Sequence, residues 1–198
     1  ANRGEIAVRL VRACAALDVE TVVAYAEPDR GSLAVQLADR SVCIGPARAQ
    51  ESYLNIPALI SAARGVGADA VHPGYGFLSE NAEFALRCSE EGLVFVGPRS
   101  DTIRGMGDKL EARATATKLG LALLPGSDGI ATLADAKRVA REIGFPLLIK
   151  AAAGGGGRGI RLVRDSAELP AALQSAAAEA EAAFGSRELF IERYVEKA

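Results

Sequence analysis

Lys150 closes an apolar run, "FPLLIK" (145–150), and is followed by "AAAGGGGRG" and a second apolar run, "IRLV" (160–163). A lysine beside so many glycines is a combination suited to phosphate. Glycine reaches φ > 0 without steric cost, so successive backbone N–H groups can turn to one side and approach an oxygen closely. Lys150 adds a point charge with three donors, and Arg158 and Arg161 are expected to raise the positive potential further. Gly154, Gly156 and Gly159 satisfy G-x-G-x-x-G, but a dinucleotide fingerprint requires a helix next, and 160–163 reads as a strand. No Gly-Lys-Ser/Thr follows, so the stretch is not a P-loop. What is left is strand, glycine loop, strand, the layout of the phosphate cover of protein kinases. The alternative is a solvated glycine hairpin with no ligand. Each of four consecutive glycines costs about 0.5–1 kcal/mol against alanine in ordered structure, more than a connecting turn requires.

The elements around this hairpin form a small α+β module. Thr132 and Asp135 mark a helix start, 133–143 has helical spacing, and Gly144 ends it. Strands are expected at 147–150, 160–163 and 188–194, with a long Ala-rich helix from about 166 to 184. The first half differs. Helical patterns at 4–17, 56–65 and 80–91 alternate with short strand-like runs at 21–26, 41–44, 68–71 and 93–96. That alternation marks an α/β layer with a mostly parallel, doubly wound, Rossmann-like sheet, its first strand largely missing. Between the halves, "GPRSDTIRGMGDKLEARATATKLG" (97–120) reads as a helix pair broken near Gly105 and Gly107, and "LPGSDG" (124–129) as a linker. The expected boundaries are 1–107 for the N-terminal domain, 108–129 for bridging helix and linker, and 130–198 for the small module.

Composition narrows the function classes. The 198 residues are 49% hydrophobic and 24% charged, an ordinary globular balance. A net charge of -2 gives no pull toward nucleic acid or anionic membrane, and 5% aromatics without Trp leave few stacking platforms. Cys14, Cys43 and Cys88 lie far apart with no CxxC pair, which reads as buried thiols of a reducing, cytoplasmic compartment and not as a zinc site. Arg3, Glu5 and Arg9 interrupt any signal-peptide core, and no apolar stretch approaches the roughly 18 residues of a membrane span. Both ends read as cut, the chain being expected as a fragment of something longer.

Seven stretches carry a resemblance: "ANRGEIAVRLVRA", "SYLNIPALISAA", "AVHPGYGFLSEN", "FVGPRSDTIRGMGDK", "PGSDG", "IKAAAGGGGRGIRLV" and "IERYVE". In this order they resemble the biotin carboxylase component of biotin-dependent carboxylases, over essentially the whole chain, with "HPGYGFLSEN" and "MGDK" the most specific. The resemblance implies that family's Rossmann-like N-terminal (pre-ATP-grasp) domain followed by the small α+β lid of an ATP-grasp fold, the rest of the ATP-grasp lying beyond Ala198. It implies ATP-dependent carboxylation of biotin on a carrier protein, with bicarbonate activated as carboxyphosphate and Mg²⁺ or Mn²⁺ as metal.

By the same resemblance Lys109 and Lys150 reach the ATP, and Gly154, Gly155, Gly156 and Gly157 fold over its phosphates. Glu192 accepts from the adenine amino group, Arg193 and Val195 contact the ring through their backbone, and Glu80 is placed on the phosphate or metal side. Read without the family, Lys109 is equally an ordinary helix lysine and Glu192 a plain strand carboxylate. His72, the only histidine, tempts assignment as a general base, but it precedes Pro73 in a loop where bonding to backbone suffices. Tyr75 and Phe77 read as packing residues, and the Arg3–Glu5 turn as structural or a subunit contact. The implied metal ligands and catalytic groups have no counterpart here, so the fragment itself is expected to be inactive. The implied partners are a biotin carboxyl carrier and a carboxyltransferase, with a homodimer formed through the N-terminal domain, and no nucleic acid or membrane. Two other readings stand beside this one: another ATP-grasp carbon–nitrogen ligase, and a non-catalytic interaction domain retaining a nucleotide fold.

Overall fold

The structure, a computed structural model, describes residues 1–152 and 159–196. It divides into two compact units, Ala1–Arg104 and Gly105–Ala198. Among the described residues no helix is long and apolar enough to cross a membrane.

The first unit alternates strand and helix: α1 (Gly4–Ala16), β1 (Val22–Ala26), α2 (Leu33–Leu37), β2 (Arg40–Gly45), α3 (Ile56–Gly65), β3 (Ala70–Val71), α4 (Ala82–Glu90) and β4 (Val94–Phe95). Pairing is parallel, as the alternation predicts, in two two-stranded sheets, β1–β2 and β3–β4. Parallel neighbours need a crossover, and α2 and α4 supply them. The five-residue α2 is absent from the sequence reading; one and a half turns with a single buried residue, Ala34, are too few to show a period. Asn55 and Asn81 start α3 and α4 by accepting from the N–H groups of Ala58 (3.1 Å) and Phe84 (2.8 Å). The core between these elements holds Tyr53, Leu59, Ile60, Phe84 and Cys88, with Phe84 edge-on to Phe95 at 5.8 Å. Only one of the three cysteines matches the expectation of burial. Cys88 is buried, Cys14 is half-buried, and Cys43 is exposed because Ile44 takes the core side of β2.

The second unit contains α6 (Lys109–Lys118), α7 (Leu133–Ile143), β5 (Leu147–Ala151), β6 (Arg161–Val163), α8 (Leu169–Phe184) and β7 (Leu189–Arg193), after α5 (Ser100–Gly107) at the unit boundary. Its sheet is antiparallel in the order β6-β5-β7. The start of α7 is a reciprocal cap: the Thr132 hydroxyl accepts from the Asp135 N–H, and the Asp135 carboxylate accepts from the Thr132 N–H. Helices α7 and α8 cover one face of the sheet, where Val139, Ile143, Leu147, Ile149, Val163, Ala176, Ala180, Leu189 and Ile191 are buried together. The "PGSDG" stretch runs along the outer edge of β7. Ser127 N–H donates to the Ile191 carbonyl (2.8 Å), and the buried Ser127 hydroxyl accepts from the Ile191 N–H (2.9 Å).

Gly159, two residues before β6, lies close against β5 and α8. Its φ is +69°, and a Cβ there would lie 3.1 Å from Ala151 Cβ and 3.9 Å from Ala180 Cβ. Gly185, at the end of α8, has a φ of +70° but open space around it. Alanine at either site meets the left-handed penalty of about 1–2 kcal/mol, and at 159 it must also displace its neighbours. Urea unfolding is therefore expected to show Gly159→Ala as the more destabilised of the two. Equal losses would mean that the close approach to β5 and α8 is not felt.

Candidate functional site

Strand alternation places the charged residues of the second unit. Leu147, Ile149 and Ala151 point into the core under α7 and α8, so Leu148 and Lys150 stand on the opposite face. In the β5–β7 register Leu148 opposes Glu192 and Lys150 opposes Phe190, which makes Lys150 and Glu192 diagonal neighbours on that face. Their side chains form an ion pair, with the Lys150 ammonium also 6.0 Å from the centre of the buried Phe190 ring.

Helix α6 brings further cations to the same face. Asp108 caps it, accepting from the N–H groups of Leu110 (2.8 Å) and Glu111 (3.0 Å), and so fixes Lys109 as the first helical residue. A cation at a helix N-terminus faces the positive end of the dipole, so helix stability does not explain this lysine. Lys109 Nζ donates to the Ala152 carbonyl at 3.4 Å, at the end of β5. Arg113 lies one turn further along the helix, on the same side as Lys109. It donates to Glu192 Oε1 at 3.2 Å and to the Leu124 carbonyl at 3.2 Å. Arg113 and Glu192 are each 14% exposed and Lys150 25%. Two cations thus converge on one carboxylate in a mostly buried position, where Coulombic attraction is little screened.

The end of β7 offers backbone groups. Arg193 N–H donates to the Pro125 carbonyl (2.8 Å) and Tyr194 N–H to that of Pro146 (3.1 Å). The guanidinium of Arg193 is spent on the last carbonyl of α7, that of Ile143, at 3.1 Å. The Val195 N–H has no partner among the described residues.

Of the residues singled out from sequence, Lys150 therefore pairs with Glu192 across β5 and β7 and Lys109 reaches Ala152 just past β5, while Arg193 ends β7 and Val195 lies two residues beyond it. Gly154, Gly155, Gly156, Gly157 and Arg158 lie outside the described residues. Arg161 is corrected: it opposes Ile149 and so sits on the α8 face, paired with Glu179 at 2.6 Å and donating to Ser175 at 3.3 Å. It adds no positive potential beside Lys150. Arg113 escaped the sequence reading, because its partner is 79 positions away and only its i, i+4 spacing from Lys109 hints at a shared face.

In the first unit, Glu80 is exposed, one residue before the α4 cap. His72 Nδ1 accepts from the Gly74 N–H at 3.0 Å, the local backbone bond expected of it. Phe77 packs as expected, stacked on Tyr53 with centroids 5.1 Å apart. Tyr75 does not: it is 60% exposed and donates to the Glu5 carboxylate at 2.9 Å. Arg3 pairs with Asp29 (3.3 Å), which accepts from the Tyr53 hydroxyl (2.8 Å), so the turn before α1 is tied to the end of β1.

Among the described residues no group of three His, Cys, Asp or Glu could hold a metal ion. The cluster of Lys109, Arg113 and Lys150 is instead suited to clustered anionic oxygens.

Comparison with known proteins identifies the family. Residues 1–103 match the biotin carboxylase N-terminal domain family, and residues 108–198 the ATP-binding domain of the carbamoyl-phosphate synthase L chain. The biotin carboxylase of Haemophilus influenzae is 50% identical over 198 residues, covering 99% of this chain and 44% of that protein. The pyruvate carboxylase of Staphylococcus aureus is 51% identical over 201 residues, covering 99% and 17% respectively. Among solved structures, the Campylobacter jejuni biotin carboxylase–β-γ-ATP complex superposes with a TM-score of 0.93 at 45% identity, over 98% of this chain and 44% of that one. The biotin carboxylase domain of Hydrogenobacter thermophilus 2-oxoglutarate carboxylase, a dimer with MgADP, ADP and bicarbonate, gives 0.90 at 46%, over 98% and 43%. The chain spans less than half the length of the biotin carboxylases it matches. It belongs to the biotin carboxylase family.

Proposed function

We propose that this chain is the N-terminal domain and ATP-grasp lid of an enzyme that uses ATP and bicarbonate to carboxylate biotin on a carrier protein. The observation that carries the reading is the pairing of Arg113 and Lys150 with Glu192 on one face of the sheet, with Lys109 reaching Ala152 just past β5, in a chain about half identical to biotin carboxylases. It is supported by the nucleotide and bicarbonate named in the complexes of its structural relatives.

In this reading the ammonium groups of Lys109 and Lys150 bind phosphate oxygens of ATP, charge-assisted bonds stronger than neutral ones. Gly154, Gly155, Gly156 and Gly157 supply the backbone cover. Glu192 receives the adenine amino group: a carboxylate has about four lone-pair sites, so Arg113 and a nucleotide N–H can share it. Because the Arg193 guanidinium is held by Ile143, its contact to the ring is through the backbone, beside the N–H of Val195. Glu80 stands on the phosphate or metal side. When bound, Mg²⁺ or Mn²⁺ neutralises phosphate charge, its ligands coming from outside residues 1–198. The partners proposed are a biotin carboxyl carrier, a carboxyltransferase and a second copy bound through the N-terminal domain, in the cytoplasm.

A full-length protein carrying this chain is expected to cleave ATP only when bicarbonate and free biotin are both present, measured as phosphate release. Cleavage supported by ammonia without biotin would replace this reading with a ligase of the carbamoyl-phosphate type. Residues 1–198 alone are expected to give no turnover.

A further inference from the structure

We infer that Arg113 is a positioning residue of the nucleotide site, holding the Glu192 carboxylate in place and keeping its charge balanced when Lys150 leaves it for phosphate. The inference rests on the reading that Lys150 and Glu192 meet ATP.

Three observations carry it. First, α6 buries no residue fully, and its apolar spacing does not call for an arginine at 113, yet this guanidinium is 14% exposed. Its two terminal nitrogens are fixed by Glu192 and Leu124, and its buried Nε has no hydrogen-bond partner among the described residues. Second, the backbone is bared to admit it. A Cβ on Gly126 would lie 3.1 Å from the Arg113 guanidinium and 2.6 Å from the Ile191 carbonyl, so only glycine leaves both β7 and the arginine in place. Third, Glu192 is shared asymmetrically: Oε1 goes to Arg113 and Oε2 to Lys150.

That asymmetry has a consequence for ligand exchange. Lys150 cannot serve polyphosphate while it neutralises Glu192, and a mostly buried carboxylate stripped of its only partner is costly. With Arg113 fixed on Oε1, the ammonium can move and Glu192 remains compensated. Oε2 is then the acceptor turned toward the ligand. An amino group at the base edge satisfies it, whereas a carbonyl oxygen at the same position, as in guanine, faces a carboxylate. Arg113 therefore contributes to nucleotide choice without touching the nucleotide.

The test uses the full-length protein. Arg113→Met is expected to raise the ATP KM about tenfold or more, the value of one charge-assisted bond, with kcat changed far less, and to narrow the preference for ATP over GTP. Arg113→Lys, which keeps the charge but not the fork, is expected to fall between. In a Glu192→Gln background, Arg113→Met should add little, because its effect runs through that carboxylate. Unchanged ATP KM and unchanged ATP/GTP selectivity overturn the inference, as does full additivity with Glu192→Gln. If Arg113→Met does not fold, Arg113→Lys decides, and wild-type KM and selectivity in that variant overturn it equally. Failure of the underlying reading is separate: the unsubstituted protein would then show no bicarbonate- and biotin-dependent ATP cleavage at all.

Discussion

Lys150→Met in the full-length protein is expected to lower kcat/KM for ATP by about two to four orders of magnitude. An ammonium that gives two charge-assisted bonds to phosphate oxygens forfeits about 1.5–3 kcal/mol for each, and every 1.4 kcal/mol is tenfold. The same substitution should disturb the fold little. Lys150 is a quarter exposed and Glu192 keeps Arg113 as a partner, so the carboxylate is not left alone. Activity and stability therefore separate at this residue, which distinguishes a ligand-binding lysine from one that only completes a salt bridge. Lys150→Arg should recover part of the loss, since charge is restored but the planar fork does not reproduce a mobile three-donor point charge. A Lys150→Met enzyme with native KM and kcat for ATP would exclude the lysine from the site and leave its pairing with Glu192 as its whole role.

What the sequence made legible was local. The Thr132–Asp135 cap, the helix it starts and the two strands on either side of the glycine stretch all follow from residues within a few positions of one another. Parallel pairing in the first unit follows from alternation, and the Asn caps of α3 and α4 from residue type. Errors arose where the answer depends on register. "IRLV" gives no sign of which residues face the core, and only the pairing of Arg161 with Ile149 turns that arginine to α8 and away from Lys150. Arg113 was invisible because its carboxylate lies 79 positions downstream and its clearance is provided by Gly126 in a stretch read as a linker. Tyr75 was misread for a similar reason. The sequence does not say which of the two aromatics in "HPGYGF" stacks on Tyr53, as Phe77 does, and which turns to Glu5, as Tyr75 does.

The same shared carboxylate makes Glu192→Ala the substitution with the largest effect on the second unit itself. Removing it leaves the Arg113 guanidinium and Lys150 ammonium, 14% and 25% exposed, without the anion both were arranged around. Breaking a buried ion pair from one side costs about 3–5 kcal/mol, and partial exposure places this case near the lower end. For a unit of this size that loss corresponds to a fall in Tm of about 10 °C or more. Glu192→Gln keeps the shape and one acceptor oxygen, so it should lose less. Adding Lys150→Met to Glu192→Ala removes one of the two stranded cations and should return part of the stability, an opposite sign to the effect expected if the two positions were independent. This reversal is the sharpest consequence of one carboxylate serving two cations. Calorimetry of the four proteins checks it: a Glu192→Ala melting transition within about 2 °C of the unsubstituted chain, or no recovery in the double variant, would mean that the cluster is held by solvent and not by Glu192.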